Sequence, residues 1–76
     1  MSNTQNTEYL IGTYYGNADD VFSFRAATED AARARFAREV ADARTYNRTS
    51  ADKICQMDLS VCGQALSIAT ETLVRS

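Results

Sequence analysis

The stretch Thr28–Arg44, TEDAARARFAREVADAR, constrains the fold more than any other part of the chain. Turned through about 100° per residue, Ala32, Phe36, Val40 and Ala43 fall within one narrow apolar stripe, while the other positions are small or charged. Thr28 stands where an N-cap should, worth about 1 kcal/mol, and Glu29 and Asp30 place carboxylates on the positive end of the helix that follows. The pattern predicts a helix over Glu29–Arg44 with Phe36 as the anchor of its buried stripe. A single helix with a single stripe encloses no core by itself; it needs a sheet to lie on.

The flanking segments supply one. Glu8–Tyr15, EYLIGTYY, is dense in aromatic and β-branched residues and runs into the turn formers Gly16 to Asp20. Val21–Ala26 then alternates, Phe22, Phe24 and Ala26 against Val21, Ser23 and Arg25, which predicts a hairpin with a loop of about five residues. Thr45–Asp52 is polar and reads as a loop. Lys53–Val61 alternates again, Cys55, Met57, Leu59 and Val61 against Ile54, Gln56, Asp58 and Ser60, and reads as a third strand. After a turn at Cys62-Gly63-Gln64, Ala65–Val74 fits a fourth strand through Leu66, Ile68, Thr70 and Thr72, or a short helix through Leu66, Ala69 and Leu73. The threonines and the lack of a cap favour the strand. The expected fold is α+β, a small antiparallel sheet with one helix on one face, in the order ββαβ followed by a fourth strand. Residues 1–7 are expected as a disordered tail and 8–76 as a single domain.

Seventy-six residues hold one core, and a hydrophobic content of 45% is enough to fold it. No run approaches the roughly 18 apolar residues of a membrane span, and the start, Met1–Thr7, has no apolar signal core, so the expectation is a cytoplasmic protein without a membrane partner. Seven arginines to one lysine, with abundant alanine, suggest a GC-rich bacterial or phage source. The chain has no histidine, and its two cysteines, Cys55 and Cys62, are expected as buried free thiols. They would bridge only if a turn brought their Cα atoms to about 5.5 Å. Asn47-Arg48-Thr49 matches a glycosylation acceptor, idle without secretion. Gly12, Gly16 and Gly63 match no phosphate-binding or dinucleotide-binding spacing. The adjacent carboxylates Asp19-Asp20 and Glu29-Asp30 sit where a turn and a first helical turn want them for structural reasons. The reading therefore expects no metal, no cofactor and no enzyme.

What remains is binding. Up to Ala32 five carboxylates face Arg25 alone, whereas from Arg33 onward the cations outnumber the acids. Arg33, Arg35, Arg38 and Arg44, continuing to Arg48 and Lys53, could follow a phosphate backbone. Against that, Glu29–Arg33, Arg35–Glu39 and Arg38–Asp42 are spaced as intrahelical ion pairs. Tyr14 and Tyr15 are neighbours on a strand, so at least one of them faces away from the helix.

The hairpin EYLIGTYYGNADDVFSFRA, the capped helix and the strand KICQMDLSV together resemble the small, acidic phage and mobile-element proteins that include many anti-CRISPR inhibitors. The resemblance is one of architecture. It implies a protein-binding inhibitor that blocks a nucleic-acid-binding surface of a bacterial defence complex such as a CRISPR–Cas effector, by nucleic-acid mimicry. Asp19, Asp20, Glu29 and Asp30 would stand in for phosphates, and Tyr15 would be a packing anchor. The alternative expectation is a nucleic-acid-binding accessory protein using Arg35, Arg38, Arg48 and Lys53. A third is a homodimer joined through a sheet edge.

Overall fold

The structure, a computed structural model, describes residues 6–74. It has the expected α+β order: β1 (Thr7–Tyr15), β2 (Asp19–Ala26), α1 (Glu29–Thr49), β3 (Ile54–Val61) and β4 (Ser67–Thr72). The four strands form one antiparallel sheet in the order β2-β1-β3-β4, and α1 lies across one face. The first five residues of the expected tail lie outside the described residues, and Thr7 already pairs with Ala26.

The core follows from the two periodicities. The helical stripe Ala32, Phe36, Val40 and Ala43 is buried against Tyr9 and Ile11 of β1 and Ile54, Met57 and Leu59 of β3. Ile11 and Leu59 are fully buried, each contributing about 1.5–3 kcal/mol. Thr28 caps the helix as expected, its side-chain oxygen accepting a hydrogen bond from the Ala31 N–H at 3.1 Å.

Four expectations are corrected. The helix continues through the presumed loop Thr45–Asp52 as far as Thr49, because tertiary contacts hold its last turn: Tyr46 packs edge-to-face on Tyr15, and the Asn47 amide bonds both backbone groups of Ile54. Asp19 and Asp20 are the first residues of β2 and not part of the turn, which shortens the hairpin loop to 16–18. In β3, Tyr14 faces Gln56 but Tyr15 faces Ile54, so Cys55 is an extra, bulged residue. The bulge turns Ile54 inward and reverses the expected alternation at that end, while Met57 and Leu59 keep it. The thiols are accordingly not buried: Cys55 is half-buried and Cys62 exposed, and both are free.

Candidate functional site

One end of the domain gathers the hairpin turn, the start of β2, the last turn of α1 and the loop that leads into β3. Tyr15 sits at its centre, its ring centroid 6.5 Å from that of Tyr46 at an interplanar angle of 82°. Burial raises the Tyr15 phenol above its ordinary value, and the nearby Tyr46, Asp20 and Asp52 raise it further. Tyr15, Gly16, Asn17, Asp52, Lys53 and Cys55 line an open cleft there. Around the corner, at the edge of β2, Tyr14, Asp19, Asp20 and Val21 line a second. The Tyr14 hydroxyl donates to Asp58 at 3.1 Å, and that bond, the charge of Asp58, burial and then Asp19 together raise the Tyr14 phenol.

Of the described residues, three aspartates outnumber the two cations at this end, Arg48 and Lys53, and are ion-paired to neither. Glu29, Glu39 and Glu71 are each ion-paired, to Arg33, Arg35 and Arg44 at 2.8–2.9 Å. Among the described residues Asp19, Asp20 and Asp52 take part in no ion pair. Lys53, the cation nearest in sequence, lines the same cleft but pairs with none of them: its ammonium donates to the carbonyls of Asn47 and Ser50, capping the helix C-terminus.

Of the five acidic and aromatic candidates, Tyr15, Asp19 and Asp20 come together. Glu29 and Asp30 do not. They lie beyond the far end of β2, about 20 Å away along a strand of this length, with Glu29 bound to Arg33. The arginine set is also divided. Arg35 is held by Glu39 and lies over the rings of Phe22 and Phe24, with centroid distances of 5.8 and 5.1 Å. The expected Arg38–Asp42 pair is absent among the described residues; Lys53 is exposed but bonded to backbone carbonyls, and Arg38 and Arg48, about 15 Å apart along the helix, are exposed and outside the ion pairs of the described residues.

Sequence reasoning missed Asp52, Tyr46 and Asp58. The first two reach the site only because α1 overran its expected end, and Asp58 because of the β1–β3 register. One signal was available: a glycine inside a strand marks close approach, and Gly12 lies beneath the Tyr14–Asp58 contact. Comparison of the chain with family models, curated proteins and solved structures finds no match.

Proposed function

We propose that this domain is a non-enzymatic protein-binding module whose acidic end occupies a basic, nucleic-acid-binding surface of a larger partner. The observation that carries the reading is that three aspartates, none ion-paired among the described residues, lie at one end of the domain, Asp19 beside Tyr14 on one face and Asp20 and Asp52 beside Tyr15 on the other. Uncompensated carboxylates beside aromatic rings offer an arginine-rich surface both charge and a stacking face. A bacterial defence complex is the partner class suggested by the likeness to small phage inhibitors. The reading is narrower than the one drawn from residue types, since Glu29 and Asp30 drop out and Asp52 joins.

The direct nucleic-acid reading has weaker support, with Arg35 and Lys53 engaged within the domain. To test the proposal, the protein is used as bait in a bacterial lysate, with and without duplex DNA as competitor. DNA should displace the captured protein, and Asp19→Arg/Asp20→Arg and Asp52→Arg baits should lose it while melting within a few degrees of the parent. A captured partner indifferent to all three substitutions refutes the reading. So does DNA binding by the purified domain that weakens steeply with salt.

A further inference from the structure

The two edges of the sheet are built differently. β4 is short, has a register break opposite Leu59/Ser60, and is tied to the helix: Arg33 donates to the Ile68 carbonyl and Arg44 pairs with Glu71. β2 runs eight residues in unbroken register without proline or bulge, and its edge is guarded only by the charges of Asp19, Asp20 and Arg25, which are of both signs. Its free backbone groups can be assigned. The Tyr15 N–H donates to the Ala18 carbonyl and the Cys62 N–H to that of Glu8. Antiparallel alternation then turns the N–H and C=O of Asp20, Phe22 and Phe24 toward β1, and those of Asp19, Val21, Ser23 and Arg25 outward.

We infer that a second copy of this chain completes that edge, the two β2 strands pairing antiparallel about a two-fold axis at Phe22. Residues directly opposite in such a pair share a face, so the symmetric registers centre on a single residue. Centring on Phe22 sets Asp19 against Arg25 of the second copy, and Arg25 against Asp19, with Val21 opposite Ser23. Centring on Val21 or Ser23 opposes neither charge to the other. The Phe22 register also joins all the outward-facing backbone groups, Asp19 with Arg25 and Val21 with Ser23. On the helix-covered side Phe22, 37% exposed, meets its own copy. Asp20 falls opposite Phe24, over whose ring the second copy's Arg35 lies. Charge complementarity therefore selects both the occupant and the register, the interface is self-complementary as a two-fold requires, and because the pairing engages Asp19, a second copy and a basic partner compete for this edge.

The test is made on the purified protein, so it stands or falls independently of any partner. Sedimentation at on the order of 100 µM chain should give twice the chain mass. Asp19→Arg and Arg25→Asp each raise the dimer dissociation constant about tenfold or more, by opposing like charges twice per dimer, and the combined exchange restores it. Asp52→Arg, away from β2, leaves the mass unchanged while abolishing partner capture. In a Cys55→Ser/Cys62→Ser background, Phe22→Cys should oxidise to a covalent dimer, since the paired Cα atoms at the axis lie about 4.5 Å apart, whereas Val21→Cys should not. Should Phe22→Cys fail to fold, the charge exchange decides alone. The chain mass at every concentration, or single charge reversals that leave the dimer intact, overturns the inference.

Discussion

The two faces of the sheet hold together by different means. On the covered face, side chains from β1 and β3 meet the Phe36 stripe in a largely apolar contact, with Ile11 and Leu59 lost to solvent altogether. On the uncovered face Val21 stands 64% exposed, and the main cross-strand link is polar: Tyr14 extends over Gly12 to reach Asp58, 44 residues away. A Cβ on Gly12 would sit 2.7 Å from an Asp58 oxygen and 2.9 Å from the Tyr14 hydroxyl, so the clasp exists only because that position has no side chain. Packing on the first face tolerates no loss of volume. The second face, among the described residues, is clasped by the Tyr14–Asp58 hydrogen bond and leaves room for a partner.

The contrast can be broken by measurement. Phe36→Ala, on the covered face, should cost about 3–5 kcal/mol in urea unfolding, a large part of the stability of a domain this small. Asn47→Ala frees both backbone groups of Ile54 and should cost about 1–3 kcal/mol, with faster amide exchange at the start of β3. Gly12→Ala forces the Tyr14–Asp58 clasp apart and should cost about 1 kcal/mol. In the same variant the Tyr14 phenol, followed by ultraviolet absorbance, should titrate closer to its ordinary value. Val21→Thr, on the uncovered face, should stay within about 0.5 kcal/mol. If Phe36→Ala and Val21→Thr cost the same, the distinction between the faces is wrong.

The tyrosines give the contrast a pH signature. Folding raises the phenols of Tyr14 and Tyr15, so the folded chain holds those protons more tightly than the unfolded chain. Their contribution is complete below about pH 10, the unfolded value, and is lost as pH rises through the raised folded values. Thermal melts should therefore fall above about pH 10, and Tyr14→Phe should flatten part of that fall.

Much of the fold was legible in the residues because it rests on local signals. Thr28 as cap, the stripe through Phe36 and the alternation of Met57 and Leu59 each act within a few positions of themselves. The threonines of β4 likewise outweighed a competing helical spacing. The candidate site was only half legible. Tyr15, Asp19 and Asp20 are close in sequence and stayed close in space, whereas Glu29 and Asp30, equally acidic and only ten residues further on than the first pair, were carried to the other end by the intervening strand.

Local propensity and period alone thus determined a capped helix, its buried face, four strands and the hairpin, because backbone geometry repeats over distances shorter than an element. Tertiary structure decided where α1 stops, that Cys55 bulges and Ile54 turns inward, and which carboxylates share an end. Those outcomes depend on contacts such as Asn47 with Ile54, Tyr15 with Tyr46 and Tyr14 with Asp58, whose partners are distant or separated by a break in the chain's regular structure. No window along the sequence contains the register that brings them together.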